Sequence, residues 1–214
     1  MARHYFAVLS AVLFLTMLIG CSTTPNQPAG TPPGEETKPA PKEPTLYTAK
    51  QCFSSMVNLA QRWQPDAMPF HLESETNTEA SGQDGKATVW RGFFASRTRG
   101  TMKTFACSGS YLPTSPARGF TDTTEAPYAA NVPALEYQPS YLLMDSDKAF
   151  AATLDHGGSA LIKKDPKQPV IYSLDWDTRR KELVWMVIYG TSGADRQGLG
   201  VVSARTGTFL GAAK

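Results

Sequence analysis

The side chains in this sequence that could perform catalysis are few and scattered. Ser159 and Lys163 are four residues apart, the spacing of a serine–lysine dyad on one helix face, but Gly157 and Gly158 just before them predict a helix end. The sequence contains no G-x-S-x-G nucleophile elbow, no H-E-x-x-H zinc motif and no G-x-x-x-x-G-K-[ST] phosphate loop. We therefore predict no catalytic site, metal or cofactor, with a hydrolase of unrecognised active site as an alternative.

The aspartates that stand in pairs are better explained by structure than by metal binding. Asp145 and Asp147 precede a stretch with helical periodicity, where aspartate favours the start of a helix. Asp175 and Asp177 flank Trp176 at a predicted hairpin turn, where aspartate is a common turn former. A calcium site there would need more oxygen ligands than these two side chains supply.

A short apolar run near the N-terminus ends in Leu18-Ile19-Gly20-Cys21. The run is as long as the hydrophobic region of a signal peptide and shorter than the ~20 residues of a membrane-spanning helix. Its last four residues resemble the lipobox of bacterial lipoproteins. The resemblance implies a signal peptide at residues 1–20, cleavage after Gly20 and acyl chains on Cys21. An ordinary secretory signal that contains a cysteine is the alternative.

The lipobox resemblance also implies a cellular location. Several acyl chains on Cys21 would anchor the protein stably in a membrane, where one chain binds only marginally. Ser22 in place of aspartate resembles the pattern that permits sorting to the outer membrane. We therefore expect a lipid-anchored protein of the cell envelope, on the periplasmic face of the outer membrane if the host is Gram-negative.

With Cys21 assigned to lipid, Cys52 and Cys107 remain as an even pair in an oxidising compartment, where a disulfide is the expected state. The alternative is a catalytic thiol, which needs a histidine partner. The chain beyond the signal peptide offers only His71, in a predicted strand, and His156, near a predicted helix end.

Charge and composition exclude some partners and define a tether. Without Arg3 the chain has 20 basic and 19 acidic residues, so no strong field attracts nucleic acid. Residues 21–45 contain the lipidated cysteine and a segment rich in proline that lacks aliphatic and aromatic side chains other than alanine. Such a segment cannot bury enough apolar surface to fold, so we predict a spacer between the membrane and a folded domain.

The rest of the chain predicts an α+β protein built from two helix-plus-sheet units. Residues 46–109 read as a helix capped by Thr48 and Gln51, followed by three antiparallel strands. Residues 110–140 form a connector spaced by prolines, which we interpret as a domain boundary. Residues 141–214 repeat the order of helix, hairpin and strand.

The repeat carries a second resemblance. Trp90 in the first unit takes the place of Trp185 in the second, and the second unit ends in Val202-Ser203-Ala204-Arg205-Thr206-Gly207. This pattern resembles the PepSY domain of exported bacterial proteins, with the second half clearer than the first. Two such units, one with a disulfide, also look like β-lactamase-inhibitor protein. The resemblance implies two repeats of one helix on a small antiparallel sheet, a PepSY/cystatin-like fold.

These families imply a non-catalytic role. We expect a module that binds a protein or peptide, with peptidase inhibition as one form of that role. A structural accessory of envelope assembly is the alternative. Of the four tryptophans, only Trp176 stands at a predicted hairpin tip, beside Arg179 and Arg180. An aromatic side chain next to arginine is typical of an interface anchor, so these three residues form the candidate interface.

Overall fold

A computed structural model describes residues 42–129, 135–191 and 195–212, which belong to one compact unit. The predicted signal peptide, Cys21 and most of the proline-rich segment lie outside the described residues. The helices are α1 (Ala49–Trp63), α2 (Ser146–Thr153) and α3 (Ser159–Lys164). The strands are β1 (Met68–Ser74), β2 (Val89–Ser96), β3 (Thr101–Ser108), β4 (Gly119–Asp122), β5 (Ala126–Pro127), β6 (Val170–Asp177), β7 (Glu182–Tyr189), β8 (Gly198–Ser203) and β9 (Phe209–Ala212).

The fold is α+β with an antiparallel sheet, as predicted, but the sheet is continuous. Its nine described strands follow the order β4-β3-β2-β1-β6-β7-β8-β9, and β5 pairs with β3 beside β4. The prediction of two separate small sheets is therefore wrong, because β1 pairs directly with β6. Pairing between strands so far apart in sequence leaves no local signal.

The predicted connector of residues 110–140 does not separate two domains. It supplies β4 and β5, which extend the sheet at the β3 edge. Farther along, Tyr137 is 2 % exposed and its backbone N–H donates to the carbonyl of Pro69 at 2.9 Å. The described part of this segment is thus an edge of the sheet and a cover for the core.

Helix α1 begins and ends where the sequence predicts. The side chain of Gln51 accepts a hydrogen bond from the Thr48 backbone N–H at 2.8 Å, as in a capping box. The buried face of α1 carries Cys52, Phe53, Met56 and Ala60, at the spacing of one helix side. Burial of this face holds the helix on strands β1 to β3.

The second helical segment is interrupted at its predicted glycines, but a further helix follows directly. Residues Leu154–Gly158 form a kink between α2 and α3, with non-helical backbone at His156 and at Gly157, which has φ 104°. Glycine adopts this left-handed conformation without steric cost, so Gly157 interrupts the helix and α3 begins directly after Gly158. Ser159 and Lys163 therefore do lie on one helix, α3, where both are exposed.

Both helical segments cover the same face of the sheet. Leu72 and Leu174 are paired across β1 and β6, and both are fully buried in one apolar core with Trp90 and Trp185. Because side chains alternate along a strand, the residues on either side of Leu72 point to the opposite face. No described helix covers that opposite face, which we call the open face.

The two halves meet at a seam of three paired positions, from His71 opposite Asp175 to Glu73 opposite Ser173. Above the seam the helix N-termini bond to each other. The Ser146 hydroxyl accepts from the Ala49 N–H at 3.0 Å, and the Asp145 carboxylate accepts from the Lys50 N–H at 2.9 Å. These two side chains satisfy N–H groups that the first turn of α1 leaves without a helical partner.

The predicted disulfide is confirmed. Cys52 of α1 and Cys107 of β3 are joined, with their Cα atoms 5.8 Å apart. This distance lies within the range that a disulfide spans without backbone distortion. The disulfide excludes the alternative of a catalytic thiol at either position.

The two tryptophans of the predicted repeat have matching surroundings. Trp90 lies opposite Cys107 and Trp185 opposite Val202, 17 positions later in each case. Each indole N–H donates to the carbonyl of the residue just before a helix cap, Tyr47 or Met144. The PepSY-like repeat itself stays a prediction.

Thr45, the last residue of the predicted tether, is already bonded to the sheet. The Thr45 N–H donates to the Gly109 carbonyl at 3.0 Å, and Arg118 bonds to the same carbonyl and to the Thr45 hydroxyl. This junction lies at the end of β3 where the strand leaves the sheet. None of the described helices is long and apolar enough to cross a membrane.

Candidate functional site: the open sheet face and the β6–β7 hairpin

Aromatic side chains form a half-buried cluster on the open face, next to the seam. Phe70 lies at a β-bulge of β1, and its ring centroid is 6.1 Å from that of Phe93 and 5.2 Å from that of Tyr128. The His71 ring lies 5.1 Å from Phe93 on the other side. Aromatic side chains that are partly open to solvent are typical of binding surfaces.

Charged side chains continue the cluster across the seam. Nδ1 of His71 is 2.6 Å from Oδ1 of Asp175, and Nε2 is 3.2 Å from Oε2 of Glu73. Burial lowers the pKa of His71, but hydrogen bonds to these two carboxylates outweigh it and raise the pKa to about 9. His71 is therefore protonated at neutral pH and pairs with both acids.

This cluster does not have the order of a catalytic triad. The Ser173 hydroxyl donates to Asp175, and the other oxygen of Asp175 faces His71. In acyl transfer the imidazole stands between the hydroxyl and the carboxylate so that it can take the hydroxyl proton. Here the carboxylate stands in the middle, so His71 has no direct path to the proton of Ser173.

A shallow depression of about 360 Å³ extends the open face towards β7. Its lining includes Arg91, Ile171 and Ile188. Nε and Nη2 of Arg91 both donate to Oε2 of Glu75, at 2.9 and 2.6 Å. The open face thus places an ion pair between an aromatic cluster on one side and aliphatic side chains on the other.

The predicted interface at Trp176 lies near the C-terminal end of β6, on the face of the sheet opposite the open face. Trp176 is half-buried and stacks on Tyr141, with ring centroids 5.9 Å apart and planes 28° apart. The two rings form the wall of a pocket of about 150 Å³ that we call the hairpin pocket. Its lining residues are Tyr141, Trp176, Lys181, Glu182, Leu183 and Arg205.

The two arginines of the predicted interface, Arg179 and Arg180, have different surroundings. Nη1 of Arg180 is 2.6 Å from Oδ2 of Asp177, and the Arg180 backbone N–H donates to the same carboxylate. These bonds hold the pKa of Asp177 below its usual value. Arg180 therefore stabilises the turn, whereas the Arg179 side chain is exposed and pairs with no described acidic residue.

Most of these arrangements have no signal in the sequence. Asp175 is predicted as a turn former beside the hairpin turn, but its carboxylate contacts His71, 104 positions earlier in the chain. Lys181 and Arg205 come together because two hairpins meet at one end of the sheet. The alternation of His71, Glu73, Arg91 and Phe93 with buried neighbours was the one available clue to the open face.

A comparison with known proteins found no family model, no curated protein and no solved structure that matches this chain.

Proposed function

We propose that this protein is a lipid-anchored, non-catalytic module of the cell envelope that binds an exported protein partner through the open face. The observation that carries the proposal is a nine-stranded sheet with its described helices on one face only. A wide sheet face without a helical cover is a surface that a folded partner can contact. The identity of the partner distinguishes two roles for this module, which are inhibition of a peptidase and a structural part in envelope assembly.

The chemistry of the open face supports a protein partner. Phe70, Phe93 and Tyr128 supply aromatic area, and Arg91 and His71 supply cations that are held in place by carboxylates. Aromatic residues and arginine carry most of the binding energy in protein interfaces. Fixed ion pairs at their side add specificity and orientation.

The architecture proposed for this module is a tandem of two PepSY-like units fused into one sheet. The order of one helical segment followed by strands occurs in both halves, and Trp90 and Trp185 occupy matching registers. In this interpretation β1 and β6 are equivalent strands that pair at the centre. The open face then crosses both units, and a partner contacts both.

The proposal is tested by photo-crosslinking in cells of the host. A benzoylphenylalanine is placed at position 93 on the open face, where an aromatic ring is already present, and in a second strain at Gln61, which is exposed on α1. We expect ultraviolet light to give one discrete adduct from position 93 and none from position 61. The partner is then identified by mass spectrometry and purified.

A binding measurement with the purified partner completes the test. Phe93→Ala removes an aromatic anchor and is expected to weaken binding by about tenfold or more, as interface anchors do. Gln61→Ala serves as the matched control and should leave the affinity unchanged. Adducts of equal yield at both positions, or an affinity that Phe93→Ala does not change, would contradict the proposal.

A further inference from the structure

The hairpin pocket combines an apolar interior with cations at its rim. Trp176, Tyr141 and Leu183 supply the apolar wall, and the volume of about 150 Å³ accommodates a single side chain. Lys181 and Arg205 stand at the rim, and neither side chain forms an ion pair with a described residue. The carboxylate of Glu182 accepts a hydrogen bond from the Ser203 hydroxyl at 3.1 Å, so it is already engaged.

The indole of Trp176 differs from the other three. The indole N–H groups of Trp63, Trp90 and Trp185 donate to Glu125, to the carbonyl of Tyr47 and to the carbonyl of Met144. Among the described residues, none accepts a hydrogen bond from the indole of Trp176. Because indole N–H groups usually find an acceptor, this one is available to an oxygen of a ligand.

The backbone conformation of Lys181 independently indicates that the hairpin pocket is a functional site. Three hairpins close with the same bond, from the N–H of a residue with positive φ to a carbonyl four positions earlier. In two of them that residue is Gly100 or Gly207, at φ 66° and 76°, whereas in the β6–β7 hairpin it is Lys181, at φ 55°. A non-glycine residue is strained in this conformation, and such strain clusters at functional sites.

We infer that the hairpin pocket binds a peptide segment in which an aromatic or branched side chain is flanked by acidic residues. The apolar side chain enters the pocket against Trp176 and Leu183. The carboxylates pair with Lys181 and Arg205, and a peptide oxygen accepts the free indole N–H. This inference rests on the proposed function, because the segment belongs to the bound partner.

The inference is tested with the probe peptide acetyl-Gly-Glu-Phe-Glu-Gly-amide on the ¹⁵N-labelled full chain. The Trp176 indole signal is assigned by its loss in Trp176→Phe. We expect this signal to shift saturably as the peptide is added, while the signals of the buried Trp90 and Trp185 stay in place. The same peptide with Gln for Glu should bind about two- to fivefold more weakly for each ion pair that is lost.

Lys181→Gly separates binding from folding, because glycine suits the backbone at this position. The variant should melt no lower than the parent and should bind the acidic peptide about two- to fivefold more weakly. Lys163→Ala removes an exposed cation from α3 and should leave binding unchanged. An unmoved Trp176 signal, equal binding of the two peptides, or unchanged affinity of Lys181→Gly would overturn the inference.

These experiments distinguish failure of this inference from failure of the proposed function. If the peptide does not shift Trp176 but position 93 still crosslinks to one partner, the inference alone is wrong. If the peptide binds while position 93 gives no specific adduct, the hairpin pocket is a peptide site and the open face is not an interface.

Discussion

His71 shows how one side chain on the open face couples the two halves of the sheet. It lies in β1 and contacts Asp175 in β6, at one end of the seam. Its side chain is 26 % exposed, so the ion pair is only partly screened by water. The charge of His71 therefore contributes to the pairing of the two halves.

The protonation of His71 predicts a pH dependence of stability. Its pKa rises from 6.5 in the unfolded chain to about 9 in the folded one, so the added stability is fully present below pH 6.5 and is lost as the pH rises through 9. The loss is at most about 3 kcal/mol by linkage, and exposure to solvent reduces it. Urea unfolding between pH 6 and 10 measures this change.

His71→Gln provides the control for this prediction. The variant should be less stable at pH 6.5 and should show a flatter profile, converging with the parent near pH 10. Burial raises the pKa of Tyr137 and Tyr172 well above the usual value, so near pH 10 they ionise in the unfolded chain only and lower the stability of both proteins equally. The difference between parent and variant therefore reports His71. Parallel profiles of parent and variant would show that His71 does not couple to folding.

Residue-level signals in the sequence located the cysteine pair but not the ion pair. Cys52 and Cys107 could be paired from their number and compartment alone, since disulfide formation limits the choices. His71 and Asp175 had many possible partners, and only the pairing of β1 with β6 brings them together. A contact that depends on long-range strand pairing has no local pattern.

At the scale of elements, the disulfide joins α1 to β3 near the point where the chain enters the sheet. The Thr45–Gly109 bond lies two residues beyond Cys107. Gly85 meanwhile packs so closely on α2 that a Cβ atom there would lie 2.2 Å from the Asp147 Cα. The first half is therefore fastened both to its own helix and to the second half.

The double variant Cys52→Ala/Cys107→Ala should lower the free energy of unfolding by up to about 4 kcal/mol, because the disulfide closes a long loop in the unfolded chain. Since the sheet is continuous, we expect both halves to lose stability in one transition. Urea unfolding followed by circular dichroism and by tryptophan fluorescence tests this.

Reductant is the internal control, because it should destabilise the parent and leave the double variant unchanged. Two separate transitions, with the second at the same urea concentration in parent and variant, would contradict a shared sheet.

Element boundaries followed from the sequence wherever caps and turns are local. The start of α1 at Thr48 and the Gly100 and Gly207 turns are set by residues within four positions. Gly157 interrupts the second helix as its local preference predicts, but helix α3 directly after it was not predicted. Thr153 and Tyr189 hold this kink on the sheet through a buried hydrogen bond, which is a tertiary contact without a local pattern.

At the scale of the whole molecule, the proposed anchor and the two proposed binding surfaces occupy different places. The chain enters the sheet beside Gly109, at the end of β3 where Ser108 pairs with Val89. Following the antiparallel register from β3 through β1 to β6 places the Trp176 hairpin at the opposite end of the strands. The hairpin pocket is thus remote from the point where the tether joins.

Cys21→Ser tests the anchor directly. Serine offers no thiol for acylation, so we expect no incorporation of a labelled fatty acid and no cleavage after Gly20. Metabolic labelling followed by gel fluorography measures both. Cys52→Ala is the matched control and should retain the label, because Cys52 lies in the disulfide; fatty-acid label on Cys21→Ser would refute the lipobox interpretation.

The position of the disulfide also determines how the molecule carries mechanical load. Tension between a membrane anchor and a partner held at the Trp176 hairpin enters at Thr45 and passes through the disulfide from α1 into β3. It then runs along the strands, so it shears the hydrogen bonds between them together and does not open them one at a time. Of the strand pairs along this path, β1–β6 has the fewest paired positions, three, so we expect the first rupture there. The bonds from Ser146 and Asp145 to α1 add resistance between the same two halves.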